Sequence, residues 1–194
     1  MKLIFATNNL HKLKEIRSNL PKNYIISGLR EAGIFEEIPE TQDSIEGNAV
    51  EKAKFIYEKY SLPCFADDTG LEVKALGGRP GVYSARYAGE DGNSKNNIVK
   101  LLKELENIDD RIARFRTVIA YISNGVLKTF EGCVQGIITN QVQGKNGFGY
   151  DPVFIPRGFI KTFAEMPLRE KNKISHRSIA LQKFIAYLNS TTEI

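Results

Sequence analysis

The chain has 194 residues, of which 42% are hydrophobic and 26% are charged. This length suits one domain with a sizeable core, and the composition is that of a globular protein rather than a disordered one. A formal net charge of +4 suits an anionic small molecule, but it is too small to indicate nucleic-acid binding by itself.

Cysteine content and apolar segments narrow the class of protein further. Cys64 and Cys133 are the only cysteines, too few for a disulfide framework or a structural zinc site. The apolar run near the N-terminus is too short for a signal peptide, and no segment approaches the length of a membrane span. We therefore expect a cytoplasmic protein that binds neither a membrane nor nucleic acid.

The first predicted unit is a strand, a polar turn and a helix. A buried strand over 2–6 leads into the polar segment 7–12, and the apolar spacing after it predicts a helix that Pro21 stops. The free N–H groups and the positive dipole of a helix N-terminus suit an anion. The lysine of this segment fits a bound phosphate, unless Thr7 or Asn8 merely caps the helix and the lysine is solvated.

The next predicted elements are a strand over 24–27 and a second helix that Asp43 opens. Glu46, three residues after Asp43, completes a capping box. Asn48 and Lys52 lie one turn apart on this helix, away from its apolar face. They either point into a shared cleft or are solvated.

A third predicted strand ends in two adjacent carboxylates, Asp67 and Asp68. Apolar residues over 63–66 lead into the pair, and Thr69 follows it. Neighbouring acids repel each other unless a positive charge lies close, and a hard divalent cation such as Mg²⁺ prefers oxygen ligands. Glu40, in the acidic loop before the second helix, is a candidate third ligand. The alternative is that the pair only starts a turn and that Glu40 is solvated.

The middle of the chain predicts a glycine-rich loop, a helix and a β-hairpin. The glycines of 75–89 permit tight turns close to a ligand, or they form a plain surface loop. A helix is predicted over 93–108. Strands are predicted over 112–123 and 126–139, because an Asn-Gly dipeptide between two β-rich runs is a strong hairpin signal.

The C-terminal third contains a second glycine-rich segment and a last helix. In 144–152, the glycines would let the backbone wrap a flat ligand while Phe148 stacks on it, or the loop packs on the core. Ser175 is a predicted N-cap, which leaves His176 and Arg177 at the helix start, facing an anion or a base edge or forming an exposed charged turn. Rossmann and P-loop spacings do not occur.

Together these segments resemble the inosine triphosphate pyrophosphatase family, also called Ham1-like. The resemblance is carried, in the family's order, by the motifs 7–12, 65–71, 77–89, 147–154 and 175–177. It implies Mg²⁺-dependent hydrolysis of ITP, dITP and XTP to the monophosphate and pyrophosphate, with Mn²⁺ as an alternative metal. It also implies a homodimer and an α/β fold, shared in outline with Maf-like proteins. In that fold an elongated central mixed sheet is flanked by helices, with two lobes and a substrate cleft between them, over a single domain of residues 1–194.

The resemblance also assigns roles to individual residues. Asp68 matches the family's catalytic carboxylate and metal ligand, Glu40 matches a second acid associated with the metal, and Asp67 would support them. Asn48 and Lys52 match a helix that faces the phosphates. The remaining substrate-binding positions are Thr7, Asn8, Asn9, Leu10, His11, Lys12, Thr69, Phe148, Gly149, Tyr150, Asp151, Lys171, His176 and Arg177.

These residues suit hydrolysis between the α- and β-phosphates, which needs charge neutralisation more than covalent chemistry. A metal ion held by Asp68 and Glu40 would bridge phosphate oxygens, and Asp68 would act as the base for an attacking water. Lys12, Lys52 and Arg177 would neutralise the remaining charge.

The purine would be recognised by donors that face its 6-oxo group, namely Lys171, His176 and Arg177. Two alternatives stay open at this point. One is a Maf-like pyrophosphatase that acts on pyrimidine or modified nucleotides. The other is a nucleotide-binding module without turnover, against which the acidic residues argue, since sensing needs no catalytic metal site.

Overall fold

The structure is a computed structural model, and it describes residues 2–21, 23–89 and 92–192. For Thr191 and Thr192 it describes the backbone alone. Within these ranges the α-helices are α1 (Leu10–Asn19), α2 (Ile45–Tyr60), α3 (Ser94–Glu104), α4 (Leu168–Ile174) and α5 (His176–Thr192). The strands are β1 (Lys2–Phe5), β2 (Ile25–Gly28), β3 (Cys64–Val73), β4 (Pro80–Gly81), β5 (Ile112–Ser123), β6 (Val126–Ile138) and β7 (Phe154–Pro156).

All seven strands belong to one mixed sheet with the order β2-β1-β3-β5-β6-β7, and β4 pairs with β3 off this path. Strand β1 is parallel to β2 and to β3, whereas β4 is antiparallel to β3 and β7 is antiparallel to β6. The α/β class with a mixed central sheet is therefore confirmed.

The predicted hairpin is also confirmed, because β5 and β6 are neighbours separated by two residues. Asn124 and Gly125 both have positive φ angles, 50° and 75°. Two consecutive positive φ angles define a type I′ turn, whose twist matches that of the flanking strands.

The residues group into two compact units, and the prediction that 1–194 is a single domain stays a prediction. The first unit contains the chain up to Asp68, Thr117–Gly132 and the residues from Arg177 onward. Its core is aromatic: Phe5 of β1 stacks on Phe65 of β3 at 4.6 Å, and Phe184 of α5 lies 5.1 Å from Phe65. This packing fixes the part of β3 that ends in Asp67 and Asp68.

The second unit comprises Thr69–Arg116 and Cys133–His176. Its core surrounds Phe115 of β5, with Phe154 at 4.7 Å and Phe163 at 6.2 Å between ring centroids. Leu101 of α3 is fully buried in the same core. Among the residues that the structure describes, no helix has the length and apolar character needed to cross a bilayer.

Several predicted boundaries are wrong by a few residues. Asn9 caps α1, not Thr7 or Asn8, because its side chain accepts from the backbone N–H groups of the first turn. Ser44 caps α2 instead of Asp43, since the helix begins at Ile45 and the Ser44 hydroxyl accepts from the third helical N–H.

Two larger differences concern β3 and the C-terminal third. Strand β3 continues to Val73, so Asp67 and Asp68 lie inside the strand and do not start a turn. Helix α4 was not predicted, because its short polar sequence has no apolar periodicity. Ser175 ends α4 as its C-cap and directly precedes α5.

Candidate active site

The two adjacent aspartates of β3 are both buried, with 1% of Asp67 and 8% of Asp68 exposed. Successive side chains of a strand point to opposite faces of the sheet. Asp67 therefore shares a face with Phe65, which packs on α5, and it contacts side chains of α1 and α5. Asp68 contacts α2 instead. One strand thus presents two carboxylates to two different sets of cations.

Asp67 binds two positively charged side chains, one with each carboxylate oxygen. Lys12 Nζ donates to Oδ1 at 2.8 Å, and Arg177 Nε donates to Oδ2 at 3.0 Å. Arg177 also donates through Nη1 to Glu15 of α1, and both residues are buried. Burial alone would raise the pKa of Asp67, but Lys12, Arg177 and Lys52 outweigh it and hold that pKa well below its ordinary value.

The same network keeps Arg177 charged. Burial would lower the pKa of Arg177, but the neighbouring Asp67 and Glu15 raise it above its ordinary value. Burial lowers the pKa of Lys12, and the nearby charges of Lys52 and Arg177 add to that effect. The alternative of an exposed charged turn is therefore wrong for Arg177, which is buried and whose charge two carboxylates compensate.

Asp68 lies beside a lysine that also holds Glu40. Lys52 Nζ is 3.2 Å from Asp68 Oδ1 and 2.6 Å from Glu40 Oε1. Burial raises the pKa of Asp68, although Lys52 and Lys12 oppose this effect. Burial would lower the pKa of Lys52, but Asp68 and Glu40 outweigh it, and its pKa is raised. Asp68 is thus a stronger base than a free aspartate, and Lys52 stays protonated.

The second oxygen of Asp68, Oδ2, is buried and has no hydrogen-bond partner among the described residues. A buried carboxylate oxygen without a partner is costly, and a hard cation removes that cost. Asp68 and Glu40 meet at one ammonium group, and Mg²⁺ is commonly held by one or two carboxylates together with waters and phosphate oxygens. The two residues therefore fit a divalent ion. Across 2–21, 23–89 and 92–192, no group of three or more His, Cys, Asp or Glu side chains is arranged to hold a metal ion.

The loop that carries Glu40 is tied to α2. The Glu51 carboxylate accepts from the backbone N–H of Thr41 at 2.7 Å and from its hydroxyl at 2.6 Å. Asn48 is buried, and its Oδ1 accepts from the backbone N–H of Gln42 at 3.0 Å. The solvated alternative for Asn48 and Lys52 is therefore wrong, because both side chains are buried among polar partners.

The predicted phosphate segment 7–12 is held by its own side chains. The Thr7 hydroxyl accepts from the Asn9 N–H at 3.1 Å, and Asn9 Oδ1 accepts from the N–H groups of His11 at 3.0 Å and Lys12 at 3.2 Å. The expectation of free N–H groups at these two positions is wrong, since the cap occupies them. Leu10, the first residue of α1, is 75% exposed. Asn8, Asn9 and His11 are exposed as well.

The second unit contains a separate group of predicted site residues around a buried ion pair. Lys171 Nζ lies 2.7 Å from Asp151 Oδ2, and the same oxygen accepts from the backbone N–H of Phe148 at 2.8 Å. The Lys171 ammonium also lies 5.0 Å from the centre of the Phe148 ring and 5.6 Å from that of Phe163. Asp151 thus places a cation and an aromatic ring next to each other.

The glycines of this loop make that arrangement sterically possible. Gly147 has a φ of 72°, and a β-carbon there would lie 2.0 Å from Asp151 Oδ2. Gly149 also has a positive φ, 60°. Tyr150 is buried, and its hydroxyl donates to the backbone carbonyl of Ser84 at 3.0 Å, so this group serves the interior of the unit.

The last two predicted site residues, His176 and Arg177, are neighbours in the chain, and both are buried. The His176 ring stacks on Phe115, with 4.5 Å between centroids and 14° between planes. The alternative of an exposed charged turn is therefore wrong for His176 as well, because an aromatic residue covers its ring. Thr69 follows Asp68 in β3 and is partly buried.

Sequence reasoning missed Glu15 and Glu51. Glu15 follows Lys12 by three residues, and Glu51 follows Asn48 by three, so each lies on the same helix face as a predicted site residue. That spacing is the signal that could have found them. Glu15 holds Arg177, and Glu51 holds the loop of Glu40.

Carboxylates suit a divalent ion and lysines suit phosphate oxygens, and phosphoryl-transfer enzymes use the two kinds of group together. The sequence model of the Ham1 family matches residues 3–187. The chain belongs to the Ham1 family, which confirms the resemblance found in the sequence.

Individual relatives agree with this assignment. A protein named dITP/XTP pyrophosphatase from Flavobacterium johnsoniae is 54% identical over 98% of this chain and 100% of its own length. A protein of the same name from Bacillus subtilis is 47% identical over 96% of both chains. The solved structure of the Staphylococcus aureus Ham1 protein matches with a TM-score of 0.90 and 38% identity, covering 98% of this chain and all of that one. A HAM1 protein from Coxiella burnetii gives 0.89 and 36%, covering 98% and 99%.

Proposed function

We propose that this protein hydrolyses deaminated purine nucleoside triphosphates, namely dITP, ITP and XTP, to the nucleoside monophosphate and pyrophosphate. Membership of the Ham1 family and relatives named dITP/XTP pyrophosphatase support the proposal. The observation that carries it in this chain is the buried Asp68, which has one unpartnered oxygen and shares Lys52 with Glu40. A binding module without turnover has no need of a buried, basic carboxylate beside a metal-binding position.

The proposed cofactor is Mg²⁺, held by Asp68 and Glu40, and Mn²⁺ also accepts such oxygen ligands. A bound divalent ion would polarise phosphate oxygens and stabilise the leaving pyrophosphate. Asp67 supports the site indirectly, because its two oxygens accept hydrogen bonds from Lys12 and Arg177 and fix these side chains. Asp68 is therefore the proposed metal ligand of the two aspartates.

Proton transfer is the proposed task of Asp68 itself. An attacking water must lose a proton, and the carboxylate of Asp68 is the group proposed to accept it. Lys52 lies against Asp68 and remains protonated, so it is placed to neutralise charge that develops on the phosphates. Lys12, in the first turn of α1, would neutralise further phosphate charge.

Base recognition is proposed for the residues around Asp151. Phe148 offers a flat face for stacking, and Lys171 offers donors to the 6-oxo group of inosine or xanthosine. Adenine carries an amino donor at that position, so it would leave buried donors unpaired and be rejected strongly. GTP shares the 6-oxo group, so its rejection requires exclusion of the 2-amino group.

A substrate panel tests the proposal. Release of pyrophosphate is measured with ITP, dITP, XTP, GTP and ATP, and with pyrimidine and modified nucleotides, each with and without Mg²⁺. The proposal predicts the highest kcat/KM for the three deaminated purines and no turnover without a divalent ion. Equal values for ITP and ATP would refute selective purine recognition, and preference for pyrimidine or modified nucleotides would favour a Maf-like activity.

We also propose that the protein acts as a homodimer in the cytoplasm, where the free nucleotide pool lies, without nucleic-acid or membrane partners. The family resemblance supports the dimer. Light scattering on the purified protein should give twice the mass of one chain, and the mass of a single chain would refute the dimer.

A further inference from the structure

The residues just before α2 form an irregular loop, and the side chains of α2 hold it at two points. Thr41 gives two hydrogen bonds to the Glu51 carboxylate, one from its backbone N–H at 2.7 Å and one from its hydroxyl at 2.6 Å. Gln42 gives its backbone N–H to Asn48 at 3.0 Å, and its side chain donates to Glu51 at 3.1 Å. The two residues that follow Glu40 are therefore both fixed to the helix.

The helix residues that hold this loop share one face of α2. Asn48, Glu51 and Lys52 are spaced by three and four residues, which places them side by side on a helix surface. Lys52 in turn bonds Glu40 and Asp68. A single helix face thus holds the backbone after Glu40 and the Glu40 carboxylate itself.

We propose that Glu51 is a positioning residue of the divalent-metal site: by holding Thr41, it keeps the Glu40 carboxylate beside Asp68. This inference rests on the proposed function, since it takes Glu40 and Asp68 as the metal ligands. The hydrogen bonds that Glu51 accepts come from Thr41 and Gln42. Glu51 acts through the loop, in the way that outer partners orient metal ligands in other proteins.

The physical argument concerns conformational freedom. Glu40 lies in irregular backbone, and a ligand on a free loop must lose that freedom each time a metal binds. Glu51 removes the freedom in advance, with an ionised carboxylate that accepts two hydrogen bonds from one residue. The pKa of Glu51 is lowered, first because the Thr41 side chain and then its backbone donate to it, so the carboxylate is charged at neutral pH.

Four variants separate this role from a general effect of charge. Glu51→Ala removes the clamp, and Glu51→Asp keeps the charge but shortens its reach by one methylene group. Glu51→Gln removes the charge but keeps one acceptor oxygen. The matched control is Glu58→Ala, which removes an exposed carboxylate from the same helix two turns further on.

The test measures binding of Mn²⁺ to each purified protein by electron paramagnetic resonance, and the Mg²⁺ concentration for half-maximal hydrolysis of ITP. We expect Glu51→Ala and Glu51→Asp to weaken both by about 10-fold, the lower end of the range for outer partners of metal ligands. Turnover at saturating Mg²⁺ should stay within about 2-fold of wild type. The metal affinity of Glu51→Gln should lie between those of wild type and Glu51→Ala, and the affinity of Glu58→Ala should match that of wild type.

The outcomes separate the inference from the function on which it rests. A wild-type protein that neither binds Mn²⁺ nor needs a divalent ion for hydrolysis would remove the proposed metal site. A metal-dependent wild type with unchanged metal affinity in Glu51→Ala would overturn the positioning role alone. Wild-type affinity in Glu51→Asp together with a full loss in Glu51→Gln would also overturn it, because charge and not reach would then matter.

Discussion

Replacing each of the two neighbouring aspartates by asparagine should have unequal effects on the free energy of unfolding. Asn has nearly the same shape as Asp but no charge. Asp67 holds the buried Arg177 and the partly buried Lys12 with its two oxygens, whereas Asp68 has an unpartnered oxygen and is buried beside one lysine. Asp67→Asn therefore removes compensation from two cationic side chains, and Asp68→Asn removes a charge that is costly to bury.

The magnitude for Asp67→Asn follows from its contacts. Removing one partner of a buried ion pair costs about 3–5 kcal/mol, and hydrogen bonds to charged groups contribute about 1.5–3 kcal/mol each. Arg177 retains Glu15, which limits the loss. We expect the free energy of unfolding to fall by about 3–5 kcal/mol at pH 7. For Asp68→Asn, we expect no loss, because Lys52 retains Glu40.

The pH dependence has opposite signs at the two positions. Because the folded-state pKa of Asp67 is lowered, its contribution is present above the ordinary pKa of aspartate and is lost as the pH falls below about 4. The folded-state pKa of Asp68 is raised, so wild type loses stability relative to Asp68→Asn as the pH rises through that pKa.

The assay is urea unfolding followed by circular dichroism, at pH 7 and at about pH 3, for wild type and both variants. The gap between wild type and Asp67→Asn should narrow at the lower pH, which lies below the ordinary pKa of aspartate. Equal destabilisation by both variants at pH 7, or a greater loss for Asp68→Asn, would refute the division of roles between the two carboxylates.

Three further predictions concern the site. In the metal-free protein, the pKa of Asp68, followed by NMR of its carboxyl carbon, should lie above that of free aspartate, because burial raises it; a value at or below about 3.9 would contradict this. Gly147→Ala should raise KM for ITP at least ~10-fold, because its β-carbon would lie 2.0 Å from Asp151. Gly158→Ala is the control, since Gly158 also has a positive φ, 87°, but no atom lies within 4 Å of the new carbon, and equal effects would exclude the clash as the cause. Removal of divalent ions with EDTA should abolish hydrolysis, and Mg²⁺ should restore it; persistent activity would refute metal dependence.

Much of the fold could be predicted because its signals are local. The hairpin was predicted from an Asn-Gly dipeptide between two β-rich runs, and the first strand and helix from an apolar run followed by apolar spacing. Helix α4 was missed because the segment 168–174 is short and mostly polar. Helix starts were misplaced by one or two residues, because several neighbouring residues are good caps and only the backbone geometry decides between them.

The candidate site could be predicted as a set of residue types, but not as a set of contacts. Asp67 and Arg177 are 110 residues apart in the chain, so no local pattern indicates that they bond. His176 and Arg177 were expected to be exposed if they had no functional role, since charged residues at helix starts usually are. Phe115, Asp67 and Glu15 bury them, and these partners come from distant segments.

The role of Asp68 as base and metal ligand is tested most directly by single-turnover hydrolysis of ITP at saturating Mg²⁺ in Asp68→Asn. Asp109→Asn serves as the control, because Asp109 is an exposed carboxylate that is not among the predicted site residues. We expect the rate to fall by at least ~100-fold in Asp68→Asn, the scale of losing a positioned base, and to be unchanged in the control. A rate for Asp68→Asn within a few-fold of wild type would contradict the assignment.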